Sequence, residues 1–320
     1  MNVQIVGTGS QLPKKIVSND DLSKIMDTSD EWIVERTGIK NRHLVEEETT
    51  TSMSVDAAKK AVTNAQINPE DLDLIIVATV SPDYCFPSTA CEIQSALGAT
   101  HATAFDINAA CSGFLFGLQI AKTYIETGIA KCALIIGAET LSKMIDWNDR
   151  STCVLFGDGA GAAVLKQSDH GIISMVQGSD GSRGMALSCK NRPVNHPFVK
   201  NDLSFSYAQM NGQEVYRFAV RTVPACIEEA LEKAGKTSDD IKFYILHQAN
   251  IRIIESVAKR LCQPIEKFPT NLQKCGNISA GSIPILLDEI RLSGQLKEGD
   301  LVVLSGFGAG LTWGAAVIEW

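Results

Sequence analysis

This 320-residue chain lacks the sequence signatures of membrane-spanning, exported and metal-binding proteins, and only 6% of its residues are aromatic. No run of about 18 apolar residues occurs, so we predict no membrane-spanning helix. The first residues carry no basic flank and no long apolar stretch, so we expect the protein not to be exported. No Cys-x-x-Cys spacing occurs and the histidines are scattered, so we predict no metal site.

Basic residues are also in the minority, because Lys and Arg number 29 against 37 Asp and Glu, which gives a net charge of −8. A protein that mainly holds nucleic-acid backbone would carry the opposite sign. The nine cysteines are an odd number in a chain without an export signal, which favours free thiols in a reducing compartment. We therefore expect a cytoplasmic protein that binds neither nucleic acid nor membrane.

The apolar content of 45% is enough for a large core, and the chain repeats a pattern near half its length. Ala61 and Ala65 precede an apolar run at 75–77, as Ala230 and Ala234 precede one at 244–246. A second echo pairs the small-residue run 159–164 with 308–310 and 314–317, and a third pairs a helix, Gly128 and the run 133–136 with a helix, Gly294 and the run 301–304. Three echoes in the same order predict a duplication into halves 1–165 and 166–320 that form one compact unit.

Apolar runs that alternate with helical patterns predict parallel strands covered by helices. Two such halves give a layered α/β protein, with helices between and outside two sheets. The segment from Asp180 to about Met210 fits neither period, and a loop of that length is usually a lid, a binding loop or disordered.

Cys111 lies in a predicted strand-turn-helix unit, at the start of a helix that runs to about Glu126. Helix N-termini favour a thiolate, which makes Cys111 a candidate nucleophile. His247 ends an apolar run, where a parallel sheet presents polar groups to substrate. From the pattern alone, however, a lone His is more often structural, and Asn277 in its Gly-flanked turn is ordinarily a turn former.

Basic side chains share helix faces at Arg252 and Lys259, and at Arg217 and Arg221. Charge pattern alone favours an ordinary solvated face. The glycine clusters 157–161 and 306–310 lack the Gly-x-Gly-x-x-Gly spacing followed by a helix, but such turns can supply backbone N–H groups to an oxyanion hole.

Taken together, motifs along almost the whole chain resemble the β-ketoacyl-acyl-carrier-protein synthase III family of condensing enzymes. The motifs that carry this resemblance are Thr28-Ser29-Asp30-Glu31-Trp32-Ile33-Val34, Arg36-Thr37-Gly38-Ile39, Phe86-Pro87-Ser88, Ala109-Ala110-Cys111, Phe156-Gly157-Asp158-Gly159-Ala160-Gly161, His247-Gln248-Ala249-Asn250, Gly276-Asn277 and Leu311-Thr312-Trp313-Gly314. It implies a duplicated thiolase-like fold of α-β-α-β-α layers with two mixed, mainly parallel sheets.

The resemblance also implies an activity, the decarboxylative condensation of a short acyl-CoA with malonyl-acyl-carrier protein, which starts type II fatty acid synthesis. The family's catalytic set falls on Cys111, His247 and Asn277. The Cys111 thiolate takes the acyl group, and backbone N–H groups of Cys111 and Ala309 hold the oxyanion. His247 and Asn277 then donate hydrogen bonds to the malonyl thioester as carbon dioxide leaves.

Partners and further site residues follow from the same resemblance, which implies a homodimer without a cofactor, since the coenzyme A thioester is a substrate. The docking patch for the acidic carrier protein falls on Arg217, Arg252 and Lys259. The implied coenzyme A and acyl pocket consists of Trp32, Arg36, Arg150, Gly212, Asn250, Phe86 and Phe307.

Phe86 occupies the position that lines the acyl pocket from the partner subunit, and a ring there favours a short primer such as acetyl. Two other interpretations remain open. One is a thiolase-fold relative that condenses other partners, such as a quinolone or polyketide starter enzyme. The other is a non-catalytic subunit or carrier-binding module.

Overall fold

The computed structural model describes residues 2–320. Its strands are β1 Asn2–Gln11, β2 Lys15–Ser18, β3 Asn41–Leu44, β4 Leu74–Ala78, β5 Thr103–Ile107, β6 Cys132–Thr140, β7 Asp158–Ser168, β8 Ile172–Ser179, β9 Leu187–Ser188, β10 Gln209–Met210, β11 Phe243–Leu246, β12 Leu301–Gly308 and β13 Thr312–Glu319.

The helices lie between these strands, as the alternating pattern predicts. They are α1 Asn19–Ser23, α2 Asp30–Thr37, α3 Thr50–Asn64, α4 Thr89–Leu97, α5 Gly113–Glu126, α6 Gly212–Ala234, α7 Ile251–Arg260, α8 Leu272–Cys275 and α9 Ser282–Leu292. Short 3-10 turns at Ala110–Ser112 and Ser279–Gly281 directly precede α5 and α9.

Two large sheets divide the chain. The first has the order β1-β7-β6-β4-β5 and the second the order β11-β12-β13-β8. Every residue of β4 and β6 is buried, because helices cover both faces of the sheet.

Both sheets are mixed, as predicted, but parallel pairs do not predominate. Parallel pairing is confined to β5-β4-β6 in the first sheet and to β11-β12 in the second. The other neighbours run antiparallel, since β12 returns directly into β13 and β1 lies against β7. The expectation of mainly parallel sheets therefore holds only for the strands joined through crossover helices.

The order of the layers is given by the hydrophobic core against which each helix packs. Side chains of α5 and α9 fill the space between the two sheets, together with inward-facing residues such as Ile76 and Leu304. The helices α3 and α4 cover the outer face of the first sheet, and α6 and α7 cover the outer face of the second. The order is helix, sheet, helix, sheet, helix.

The segment that fits neither period in the sequence adopts little regular structure. A 3-10 turn, Gly181–Ala186, leads into β9, which pairs antiparallel with β10, and the residues between these strands are irregular and mostly exposed. Met185 and Met210 line a cavity, so this segment is a wall of a pocket. None of the helices in residues 2–320 is long and apolar enough to cross a membrane.

Candidate active site

Cys111 lies in the 3-10 turn between β5 and α5, beyond the carboxyl end of β5. Ala110 adopts a φ of 46°, which turns the chain sharply before the nucleophile. Only a glycine fits at position 308 opposite it, because a Cβ there would lie 2.6 Å from the backbone nitrogen of Cys111. The backbone around the thiol is therefore held by close packing, with the Cys111 side chain 7% exposed.

The thiol of Cys111 differs from the expectation based on its helix position. Burial raises its pKa to about 12, so the group is a protonated thiol at neutral pH. An enzyme that uses this sulfur as a nucleophile needs a destination for its proton.

His247 follows directly after β11, and its backbone N–H donates to the oxygen of Ser305 at 2.8 Å. The side chain is 3% exposed, and burial lowers its pKa to about 3. The imidazole is therefore neutral near pH 7 and can donate a hydrogen bond without carrying charge. Its ring lies edge-on to Phe307 with centroids 5.5 Å apart, and Nδ1 is buried without a partner among the described residues.

Asn277 is held by the main chain on both sides. Its N–H donates to the oxygen of Leu155 at 2.9 Å, and its own oxygen accepts from the N–H of Gly157 at 3.0 Å. Its Oδ1 accepts from the N–H of Ser279 at 2.8 Å, which leaves the amide NH₂ as the free end of the side chain. The amide oxygen of Asn277 therefore stabilises the turn, as predicted for a turn former, while its NH₂ is free to donate to a ligand.

These three side chains, far apart in the sequence, line one inner cavity of about 400 Å³ with Phe307 and Gly308. A thiol, a neutral imidazole and an amide therefore face the same space. Among residues 2–320, no group of three or more His, Cys, Asp and Glu side chains is arranged to hold a metal ion.

An outer cavity of about 1080 Å³ shares a wall with the inner one, since Arg36, Gly212, Asn250 and Arg252 line both. Its charged lining residues are Arg36, Arg217 and Arg252, and it includes no Asp or Glu. In a chain with a net charge of −8, this basic mouth is a local exception that suits an anionic ligand.

Family models and known relatives agree on one assignment. The model described as 3-oxoacyl-[acyl-carrier-protein] synthase III matches residues 105–181, and the model of that family's C-terminal part matches residues 231–320. The β-ketoacyl-[acyl-carrier-protein] synthase III of Clostridium novyi is 51% identical over 100% of this chain and 99% of its own. The chain belongs to the β-ketoacyl-[acyl-carrier-protein] synthase III family.

Solved structures of this family have the same fold. The 3-oxoacyl-[acyl-carrier-protein] synthase III of Aquifex aeolicus superposes with a TM-score of 0.94 at 48% identity, covering 99% of this chain and 100% of that one. The priming β-ketosynthase of the R1128 polyketide pathway superposes with a TM-score of 0.94 at 35% identity, covering 99% and 96%. The thiolase-like fold is confirmed, and the chain is an acyltransferase of the condensing type.

The residues expected to hold coenzyme A lie mainly around the outer cavity. Two guanidinium groups lie over the ring of Trp32, Arg36 at 4.6 Å and Arg150 at 5.1 Å from the ring centroid. Gly212 and Asn250 line both cavities, and the Asn250 amide donates to the oxygen of Arg36 at 2.9 Å. Arg150 does not line the outer cavity itself but contacts the ring of Trp32, which does.

The remaining predicted residues differ in their distance from the two cavities. Arg217 and Arg252 are at the basic mouth, and Lys259 is exposed on α7, the helix that carries Arg252. Ala309 follows Gly308, the inner-cavity residue that packs on Cys111. Phe86 is 86% exposed and lines neither cavity of this chain.

Glu139 and Ser279 were not singled out from the sequence. Glu139 is 0% exposed near the end of β6, where its Oε2 accepts hydrogen bonds from Ser81, Val80 and Thr79, and the N–H of Ser279 donates to Oδ1 of Asn277. The sequence signal that could have found Glu139 is its position directly after the apolar run 133–138. A carboxylate at the end of a buried strand is unusual, because Glu is rarely buried without a cation to pair with.

Proposed function

We propose that the chain transfers an acyl group from coenzyme A to Cys111 and then condenses it with malonyl-acyl-carrier protein, which starts fatty acid synthesis. One observation carries the proposal: Cys111, His247 and Asn277 line one inner cavity that shares lining residues with a basic mouth. The family membership supports it independently.

The first half-reaction is acyl transfer. The sulfur of Cys111 attacks the thioester carbonyl, and backbone N–H groups of Cys111 and Ala309 stabilise the oxyanion. Ala309 has a methyl group that takes no part in this, because the donor is its main chain. Coenzyme A leaves, and the acyl group stays on Cys111.

The second half-reaction is decarboxylation followed by carbon-carbon bond formation. His247 and the Asn277 NH₂ donate hydrogen bonds to the malonyl thioester oxygen, which becomes negative as carbon dioxide departs. A histidine with a pKa of about 3 is suited to this task because it donates as a neutral group at working pH. The carbanion attacks the acyl-Cys111 ester, and 3-oxoacyl-carrier protein forms.

Both substrates are anionic, and the charge of the mouth supports their binding here. Trp32 offers an aromatic face to adenine, and Arg36 and Arg150 offer guanidinium groups to phosphate. We assign carrier-protein docking to Arg217 and Arg252, which line the mouth, and to Lys259, which is exposed on the helix that carries Arg252.

The test uses wild-type protein exposed to acetyl-, propionyl-, isobutyryl- and octanoyl-CoA together. We expect one acyl adduct in the intact-protein mass spectrum, and peptide mapping should place it on Cys111. The 3-oxoacyl-carrier protein should form only after malonyl-carrier protein is added. An adduct that condenses with another extender would instead support a priming enzyme of polyketide type. No adduct on folded protein would contradict coenzyme A esters as donors.

Phe86 is proposed to restrict primer length from the second subunit of a homodimer. Its ring is 86% exposed and its neighbour Tyr84 is 59% exposed, so this loop presents apolar surface that a second copy would cover. We expect Phe86→Thr to raise the kcat/KM for octanoyl-CoA about tenfold relative to acetyl-CoA, because the smaller side chain leaves room for the longer acyl group. Kinetics with both esters would measure this ratio.

Phe198→Thr is the control for Phe86→Thr, since it removes a ring of similar exposure, 92%, from another loop. Its substrate preference should equal that of the wild type. An unchanged preference in Phe86→Thr would show that this ring does not limit the primer.

A further inference from the structure

Gln248 is a buried amide next to His247, and the two half-reactions give it no role. Its side chain is 0% exposed, and it lines neither the inner nor the outer cavity. Burial of an amide costs free energy unless its donors and its acceptor are paired. The hydrogen bonds of Gln248 therefore show which parts of the chain this side chain holds together.

The nitrogen end of the amide holds the turn that carries His247. Nε2 of Gln248 donates to the main-chain oxygen of Leu246 at 2.8 Å, so this bond spans His247. The N–H of His247 itself donates to the oxygen of Ser305 at 2.8 Å. The main chain is thus fixed on both sides of the imidazole as well as at His247.

The oxygen end of the amide binds the start of a short helix. Oε1 of Gln248 accepts from the N–H of Asn271 at 3.1 Å and from the N–H of Leu272 at 3.4 Å. The first N–H groups of a helix have no partner within it, and an Asn at the N-cap usually supplies an acceptor from its own side chain. In residues 2–320 the side chain of Asn271 makes no such bond to α8. Gln248 supplies the acceptor instead.

This helix, α8, leads directly into Asn277. It is a single turn, closed by the N–H of Gly276, which donates to the oxygen of Leu272 at 3.0 Å. A helix of this length is not stable alone, so its position depends on its tertiary contacts. It packs against β3, and Gln248 binds its start. A displacement of α8 would therefore also displace Asn277.

The main-chain hydrogen bonds of Asn277 hold it on another side. Their partners are Leu155 and Gly157, in a segment that does not carry His247. Gln248, in contrast, is bonded both to the turn of His247 and to the helix before Asn277. One side chain thus connects the two donors of the decarboxylation step.

Such a connection matters because two donors that act on one oxygen must converge on it. Each has to lie about 2.7–3.1 Å from the position where negative charge develops. A misplacement of about 1 Å can cost as much as 10²-fold in rate. His247 and Asn277 are distant in the sequence, so their spacing depends on tertiary bonds of this kind.

We propose that Gln248 is a positioning residue that holds the Asn277 NH₂ in register with His247 for decarboxylation of the malonyl thioester. This inference rests on the proposed roles of His247 and Asn277 in that half-reaction. Gln248 touches no substrate in this scheme, and its amide neither gains nor loses a proton.

The test uses Q248L, which has a side chain of similar size without hydrogen-bonding groups. Release of carbon dioxide from malonyl-carrier protein and single-turnover acetylation of Cys111 by acetyl-CoA are measured separately. We expect the kcat for decarboxylation to fall about tenfold or more. The KM for malonyl-carrier protein and the acetylation rate should change by less than about twofold, because Gln248 lines neither cavity.

Two further variants separate the reach of the side chain from its chemistry. Q248E keeps the length of the side chain and an acceptor oxygen for α8, so it should recover most of the decarboxylation lost in Q248L. Q248N keeps an amide but is one methylene shorter, so it should lose decarboxylation as Q248L does. Q248N carries the same test should Q248L not fold.

A double-mutant cycle tests whether Gln248 acts through Asn277. In the Asn277→Asp background, Q248L should lower decarboxylation by less than about twofold, because the donor that Gln248 positions is already absent. Q94L is the matched control, since the Gln94 amide also donates to a main-chain oxygen, that of Ala102 at 3.1 Å, and lines neither cavity. Its two half-reactions should equal those of the wild type.

Three results would overturn the proposal. They are an equal loss of both half-reactions in Q248L, an undiminished effect of Q248L in the Asn277→Asp background, and wild-type decarboxylation in Q248L when Asn277→Asp has lost it. The last of these leaves the proposed function intact. If Asn277→Asp itself retains wild-type decarboxylation, the proposed role of Asn277 fails, and the role of Gln248 fails with it.

Discussion

The Cys111→Ala variant is expected to form no acyl adduct and to lose condensation by roughly 10⁴-fold or more, as is typical when a covalent nucleophile is removed. The reason is geometric as well as chemical, because Cys111 is the thiol that lines the inner cavity beside His247 and Asn277. Intact-protein mass spectrometry after addition of the preferred acyl-CoA, together with product formation, measures both losses.

Cys275→Ala provides a matched control for Cys111→Ala. Burial raises the pKa of Cys275 to about 12, as it does for Cys111, but Cys275 does not line the cavity. This variant should therefore form the normal adduct. If Cys111→Ala still gains the mass of the acyl group on a specific peptide, another residue is the nucleophile.

The His247→Ala variant is expected to lose about 10²- to 10³-fold in malonyl-carrier-protein decarboxylation, the usual cost of one oxyanion donor. Acyl transfer to Cys111 should change by less than about threefold, because an imidazole whose pKa is lowered to about 3 is a poor acceptor for the thiol proton. Release of carbon dioxide and growth of the acyl adduct are measured separately. Since the pKa of His247 is lowered to about 3, wild-type decarboxylation should show no loss from its protonation down to pH 5.

Asn277→Asp tests the second donor in the same assay. An aspartate keeps an oxygen for the N–H of Ser279 and removes the NH₂, so the turn is retained and the donor is lost. A decarboxylation rate close to that of the wild type would exclude this amide from the reaction. Loss of acyl transfer in His247→Ala, with decarboxylation retained, would instead make His247 the base for Cys111.

Much of this site could be predicted from the sequence. Short-range pattern placed Cys111 between a strand and a helix and His247 at the end of a buried strand, because these positions depend on neighbours in the chain. Asn277 was different, since nothing in its own turn distinguishes it from a turn former. Its two main-chain hydrogen bonds are with Leu155 and Gly157, more than a hundred positions away, so only the resemblance to a family singled it out.

The pKa of Cys111 and the burial of Glu139 depend on tertiary packing, which sequence pattern does not determine. A helix start predicts a lowered thiol pKa, and burial produces the opposite shift. The sequence pattern indicates only that Glu139 ends a strand, while the structure shows a fully buried carboxylate that accepts hydrogen bonds from Thr79, Val80 and Ser81. The antiparallel pairing of β1, β7, β8 and β13 could likewise not be predicted from pattern, because it depends on which strands lie side by side after folding.

In the sequence, the last strand of the first sheet ends at Ser168 and the first strand of the second sheet begins at Ile172. The side chains of the inner cavity come from both sides of this point. Cys111 belongs to the segment before it, and His247 and Asn277 belong to the segment after it. A chain divided at the exposed Asp169 would yield two fragments, each with an incomplete set of groups and an uncovered side of α5 or α9. Catalysis would then become a bimolecular property, regained only when the fragments associate, and its recovery would report directly on their complementation.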